Sequence, residues 1–202
     1  MAPDLGTTTI TALVLDVDSG EVAAVRTMPN RCEVTSAPDR GRGWNEWDTA
    51  GMVALALEAI RAAVAAGGSV AGIGVTGQMH GMVLVSEEAP VGPLIGWQDR
   101  LGMEVVAGTE ETCVGRMWGL AEEMGVLDRG CRAHTEYMGV TLFWMAVQGM
   151  LPAVPCSASF LPDYAVAVLT GTRPVTDATD AAGTGVFDVV ERRWVDGLIG
   201  AL

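Results

Sequence analysis

The 202-residue chain is half hydrophobic and 18% charged, which supplies core material for one sizeable domain, or one and a fraction, and does not suit a disordered chain. Its net charge is −13, from 25 acidic and 12 basic residues, and every basic residue is Arg. So few cations are ill suited to displacing counterions from nucleic acid or to docking on an anionic membrane, so neither is expected as a partner; the charge reads as solubility.

In chain order, Ile10 to Val17 alternates and is rich in β-branched residues, Asp18-Ser19-Gly20 is a turn, and Glu21 to Met28 reads as the returning strand of a hairpin. Pro29 to Arg42 is polar and reads as a loop, ending in Gly43-Trp44-Asn45-Glu46-Trp47-Asp48. The clearest helix spans Thr49 to Ala66. Asp48 or Thr49 can cap it, Met52, Leu55, Ala56, Ala59, Ile60 and Ala63 recur at helical spacing, and Gly67-Gly68 stops it. Val70 to Val75 reads as a buried strand and Met82 to Val85 as another. Strand, long helix and buried strand in that order predict an α/β architecture. Beyond Pro93 the candidates are helices at Arg100 to Gly108, Gly115 to Met124, Val140 to Gln148 and Phe160 to Leu169. A turn at Gly171 to Pro174, a last strand at Gly185 to Val190 and a helix starting at Trp194 complete the chain.

Cys32, Cys113, Cys131 and Cys156 form no C-x-x-C pair and have no His at metal-ligand spacing. They read as thiols of a reducing compartment rather than zinc ligands. Met1-Ala2-Pro3-Asp4 lacks the basic and apolar regions of a signal peptide. The most apolar stretch, around Met138 to Met150, is too short to span a bilayer and contains Gln148. The expected location is cytoplasmic.

Four segments carry chemistry. In Asp4-Leu5-Gly6-Thr7-Thr8, a glycine beside hydroxyl residues lets the backbone approach a phosphate, and the preceding carboxylate suits Mg²⁺ directly or through water. The same run also suits a capped turn before a strand. In Gly77-Gln78-Met79-His80-Gly81, a buried strand delivers Gln78 and His80 to its end, where open α/β sheets bind ligands; both side chains can donate and accept, as a polyol requires. His80 also suits a purely structural role. In Gly96-Trp97-Gln98-Asp99-Arg100, the Trp face can pack on the C–H surface of a sugar and Asp99 can accept from hydroxyls, or the pair can be a core Trp and a helix cap. Asp163 to Gly171 followed by Thr176 to Thr184 reads as mainly structural, with Asp180 the member expected to face the cleft.

Together, and in this order, the D-x-G-T-T turn, G-Q-M-H-G, W-x-D and D-Y-x-x-x-x-L-T-G followed by T-D-x-x-D-A-x-G-T resemble the N-terminal domain of the FGGY carbohydrate kinases. The likeness covers nearly the whole chain and leans toward the ketose kinases for sedoheptulose and xylulose. It implies a ribonuclease H-like domain of the actin and hexokinase type, with a mixed sheet and flanking helices, and a second, ATP-binding domain that this chain lacks. By that resemblance residues 1–202 are an incomplete N-terminal, sugar-binding domain, ATP and Mg²⁺ are the cofactors, and Asp4 would help hold the metal. Gly6, Thr7 and Thr8 would border the γ-phosphate; Gln78, Met79 and His80 would line the sugar pocket, with Trp97 and Asp99 beside it and Tyr137 near a sugar-contacting aromatic of some relatives. The expected partners are a sugar, the missing C-terminal kinase domain and, as a further expectation, a second copy in a homodimer.

Departures from the pattern limit this expectation. The general base Asp of the family would lie beyond Leu202, so no catalytic residue is assigned here and the isolated chain is expected not to turn over. Most of the first strand is missing ahead of Asp4, and Pro3 cannot donate to a central ladder. Thr11 stands near a Lys of many relatives, and Asp99 is followed by Arg100-Leu101 where Gly-Arg is common. Glycerol kinases carry Arg-Glu where Met79-His80 stands, which makes glycerol a poorer candidate. The alternative is a non-catalytic sugar-binding or regulatory module of kinase-derived fold. An actin-like ATPase such as a chaperone would share the D-x-G-T-T turn but has no use for G-Q-M-H-G or the Trp-Gln-Asp segment.

Overall fold

A computed structural model describes residues 1–87 and 89–202. The chain opens with strand β1 (Ala2–Leu5), which pairs antiparallel with β2 (Thr9–Leu15), and β2 pairs with β3 (Val22–Pro29). The predicted hairpin is therefore present. Ile10, Ala12 and Val14 alternate into the core, as the two-residue period of a half-buried strand requires. The stretch read as a loop contains a short helix, α1 (Ala37–Arg42), which Ser36 caps by accepting from Asp39 N. The Ser-Ala-Pro-Asp start signal precedes a helix too short to show a period, so the stretch reads as a loop.

After β4 (Glu46–Trp47) comes the predicted long helix, α2 (Thr49–Gly67), with Asp48 as its cap accepting from Gly51 N. Met52, Ala56, Ala59, Ile60 and Ala63 pack against Leu5, Ile10, Ala12 and Val14 in one core. Burying each larger aliphatic side chain stabilises the fold by about 1.5–3 kcal/mol. With a mean hydropathy of 1.6, this helix rather than the Met138 region is, among the described residues, the one long and apolar enough to cross a membrane. Its apolar face is spent on the sheet.

Strand β5 (Thr76–Gly77) runs parallel to β1, giving the order β3-β2-β1-β5. The expected buried strand at 70–75 is not formed, and Ile73 is 46% exposed. Pro3 accounts for this. Leu5 O accepts from Gln78 N and Met1 O from Gly74 N, so alternate residues of β1 face this neighbour. Pro3 lies between them and has no N–H to give, so the ladder holds only at Asp4↔Thr76 and Leu5↔Gly77.

Strand β6 (Gly81–Ser86) is buried on both faces: Val83 and Val85 join the first core, and Met82 and Leu84 a second. That explains its unbroken apolar reading. It pairs with β7 (Ala89–Pro90), β8 (Leu94–Gly96) and β9 (Ser157–Ser159), and β8 pairs with β4. The second core is closed by α3 (Cys113–Glu123) and α4 (Met138–Val147). The predicted helix at Arg100 to Gly108 is instead one 3₁₀ turn at Leu101–Met103 followed by an irregular hairpin, in which Val105 bridges Thr112. Tertiary hydrogen bonds override the helical pattern. Leu101 N donates to Asp99 Oδ1 at 2.6 Å, while Glu104 receives the Trp44 indole N–H at 3.1 Å and the Trp144 indole N–H at 2.8 Å.

Helix α5 (Leu161–Thr170) ends on Gly171 in the left-handed region, and α6 (Ala178–Ala182) is capped by Asp177. The last predicted strand shrinks to β10 (Phe187–Asp188), paired with β11 (Arg193–Trp194) before α7 (Asp196–Ile199). Asp188 ends it by turning its carboxylate to Arg129 at 2.7 Å and to the N–H groups of Val190 and Glu191.

Candidate functional site

The turn Gly6-Thr7-Thr8 joins β1 to β2 at one end of the first sheet. A Cβ on Gly6 would come within 2.7 Å of the Thr9 carbonyl oxygen, so only glycine lets the turn close this tightly. Asn30, just past β3, pins it: Asn30 Nδ2 donates to Gly6 O at 3.1 Å, and Asn30 N donates to Thr8 O at 2.9 Å. Sequence reasoning did not single out Asn30, because its role comes from the hairpin folding back over it. Asp4 is exposed and stands opposite Thr76, two residues before Gln78 on the adjoining strand.

The turn meets the second segment directly. Thr7 Oγ1 donates to Gln78 Oε1 at 3.3 Å, and the Trp97 indole N–H donates to Thr7 Oγ1 at 2.9 Å. Gln78 Nε2 is buried without a partner among the described residues. Gly81 pairs with Gly96 across β6 and β8, so His80 and Trp97, one residue outside that pair, emerge at the same end. Met79 is 51% and Trp97 44% exposed. Thus Gly6, Thr7, Gln78 and Trp97 form one corner, with Met79 and His80 following on.

His80 stacks on Tyr137, with ring centroids 4.8 Å apart and planes 24° apart, and Tyr137 lies 4.9 Å from His134. Tyr137, read from the resemblance as near a sugar-contacting aromatic of some relatives, thus lies against His80. On its other side His80 lies against Gly183, where an added Cβ would be 2.9 Å from Nδ1. Nδ1 is buried there without a well-aligned hydrogen bond. Burial holds the imidazole below its ordinary pKa, an effect that Glu136 opposes, so His80 is neutral at pH 7 and can both donate and accept. Asp180, half-buried, interacts electrostatically with His80, and its carboxyl is raised by burial and by Asp177. Asp163 is raised by burial to about 6, against the Thr176 hydroxyl and with Asp180 and Asp177 adding to the rise.

Asp99 departs from the expectation. Its side chain does not open beside Trp97: the residue is 2% exposed, and its carboxylate accepts from Asn45 N and Leu101 N, each at 2.6 Å. Both oxygens are spent on the backbone, so Asp99 anchors the segment that carries Trp97 rather than meeting a ligand. Burial pushes its carboxyl up to about 6, against those two hydrogen bonds and with Glu46 and Glu104 adding to the rise.

Strand order β3-β2-β1-β5, a helix packed on one face and a glycine-hydroxyl turn between the first two strands are those of the ribonuclease H-like, actin/hexokinase-type ATPase fold. All of residues 1–202 match the FGGY family of carbohydrate kinases, N-terminal domain, and the chain belongs to that family. It is 29% identical to a xylulose kinase of Klebsiella pneumoniae over 98% of its own length and 38% of that protein, and 31% identical to a xylulose kinase of Streptomyces rubiginosus over 90% of its length and 35% of that protein. A glycerol kinase of Agrobacterium fabrum is 27% identical over 100% of the chain and 40% of its own length. Among solved structures, the xyloylose (xylulose) kinase of Brucella ovis superposes with a TM-score of 0.79 at 26% identity, over 98% of this chain and 39% of that one. The chain thus spans about two fifths of the length of the relatives it matches.

Proposed function

We propose that this chain is the sugar-binding part of an ATP-dependent carbohydrate kinase that transfers the γ-phosphoryl group of Mg·ATP to a terminal hydroxyl of a ketose, xylulose or sedoheptulose. One observation carries the reading: Thr7 of the phosphate turn is hydrogen-bonded to both Gln78 and Trp97 of the sugar-contacting segments. Donor and acceptor sites must adjoin for in-line phosphoryl transfer, where positioning and charge stabilisation do most of the work.

The geometry supports the following roles. The Gly6–Thr8 backbone and the exposed Thr8 hydroxyl suit the γ-phosphate, because small residues and free N–H groups admit an anion closely. Asp4 is an exposed carboxylate at this turn, and one carboxylate together with substrate phosphates meets the usual demand of Mg²⁺, which keeps several of its waters. The ion, when bound, would offset phosphate charge. Gln78, Met79, neutral His80 and the Trp97 face would hold the polyol, with Tyr137 fixing the His80 ring. The proton of the acceptor hydroxyl requires a general base. The family resemblance puts that base in the C-terminal, ATP-binding half; within this chain Asp99 is turned inward. Turnover then needs the C-terminal ATP-binding domain, in keeping with the two-fifths span.

Calorimetric titration of the chain with D-xylulose and sedoheptulose, followed by an activity assay after adding a C-terminal half, tests this. Saturable sugar binding with activity only in the completed enzyme is expected. Sugar binding with no activity in the completed enzyme would favour a non-catalytic sugar-binding module, and no binding would remove the sugar reading.

A further inference from the structure

Three polar groups at the corner form a directed chain. An indole N–H can only donate, so Thr7 Oγ1 must accept from Trp97 at 2.9 Å. The Thr7 proton is then left for Gln78 Oε1 at 3.3 Å. The Gln78 amide, whose two ends are otherwise interchangeable, takes the orientation that pairs its oxygen with this proton. Its oxygen turns to Thr7, and its NH₂ is left buried with no partner among the described residues. Buried polar groups are nearly always satisfied, so an unpaired donor here calls for an acceptor brought from outside. The same chain uses up the Thr7 proton, so the Thr7 side chain has none to donate to a phosphate.

We propose that Thr7 is a positioning residue rather than a phosphate ligand through its side chain: it fixes the Gln78 amide as a donor toward a ligand oxygen and links that donor to the phosphate turn. The identity of the ligand rests on the sugar-kinase reading; the hydrogen-bond chain does not. A hydroxyl or carbonyl oxygen that pairs with Gln78 Nε2 strengthens the whole chain, because linked hydrogen bonds polarise one another. Thr7 lies between Gly6 and Thr8, so an occupied sugar corner steadies the turn that receives the phosphate. The Trp97 ring, held by the same hydroxyl, is kept in place beside the Gln78 donor.

Two readouts on the intact chain test this. The first is hydrogen exchange of the Trp97 indole N–H without sugar, assigned with Trp97→Phe. Thr7→Ser keeps the hydroxyl and should exchange within about twofold of the parent. Thr7→Val, of similar shape but without the hydroxyl, should exchange about fivefold faster or more, the equivalent of one net hydrogen bond. The second is D-xylulose affinity: about fivefold weaker in Thr7→Val and restored in Thr7→Ser. Gln78→Glu keeps an acceptor for Thr7 but has no donor for the ligand, and should lose about tenfold or more. Trp97→Phe removes the same hydrogen bond from its other end, should valine disturb the turn. Parental exchange and parental affinity in Thr7→Val would overturn the proposal, as would undiminished affinity in Gln78→Glu. If the parent chain binds no D-xylulose while Thr7→Val still speeds indole exchange, the positioning role of Thr7 stands and the sugar assignment fails.

Discussion

Two polar clusters in this molecule each receive a tryptophan N–H and do opposite things. Around Glu104, every strong polar group is paired. Its carboxylate takes the indole N–H of Trp44 and of Trp144 and the Arg42 guanidinium at 2.8 Å, and the two indole rings meet edge to face at 5.3 Å. Arg42 also lies over the Trp44 ring at 4.3 Å. Around Thr7, a tryptophan again donates its N–H, but the chain ends on a Gln78 amide with no acceptor among the described residues, and Trp97 stays half-exposed. A closed network rigidifies a core, whereas an open one awaits a ligand. The difference separates architecture from site more sharply than residue type does.

The largest expected effect breaks the comparison at the phosphate end. In a completed enzyme, Asp4→Ala should lower turnover by about 10²–10³-fold, the scale for losing one charge-stabilising group at a reacting centre, while D-xylulose affinity stays unchanged. Steady-state kinetics and calorimetry on the same variant read both. Equal loss of phosphate transfer and sugar binding would mean misfolding, not a lost metal contact.

Glu104→Ala should do the reverse. Leaving two indole donors and an Arg without their acceptor should lower stability by about 2–3 kcal/mol, seen as a fall in Tm or denaturant midpoint, with sugar affinity nearly constant in the folded fraction.

A pH effect comes next. Asp99 is held at about 6 by burial, above its unfolded value near 3.8, so the folded state binds this proton more tightly. Stability from this group is therefore greatest below about pH 4 and declines as pH rises toward 6, by on the order of 2 kcal/mol. Asp163, also raised to about 6, acts in the same direction. His80 opposes them, because its lowered pKa makes charging it at acid pH unfavourable to the fold. Urea midpoints between pH 4 and 7.5 should fall with rising pH in the parent, and more shallowly in Asp163→Asn; a slope unchanged by that substitution would remove Asp163 from the account.

The smallest effect sharpens the ligand side. His80→Ala in a completed enzyme should raise the sugar KM about tenfold, one lost ligand hydrogen bond together with the ring shelf on Tyr137, and leave the KM for ATP alone.

Much of this arrangement was legible in the sequence wherever a signal was long or chemically marked. The 19-residue α2 announced itself by the Asp48 cap and its helical spacing, and Gln78, His80 and Trp97 by unusual runs at strand ends. Two- and three-residue strands such as β4, β8 and β9 have no period to read. The helix expected over Arg100 to Gly108 gave way to contacts made by Asp99 and Glu104 with residues 54 to 60 positions away, at Asn45 and Trp44. Asn30 enters the site from a remote segment with nothing local to mark it, whereas Gly183 belongs to the T-D-x-x-D-A-x-G-T run and only its contact with His80 was not legible. Asp99 was found as a member of the Trp-Gln-Asp run, but its inward turn depends on the Asn45 backbone arriving from another strand.

The most direct test of the distinction between open and closed clusters is to follow side-chain NMR signals through a D-xylulose titration. The account predicts saturable shifts of the Gln78 amide and the Trp97 indole N–H, while the Trp44 and Trp144 indoles hold still. Shifts confined to Trp44 and Trp144, or a Gln78 amide that stays put at saturating sugar, would contradict it.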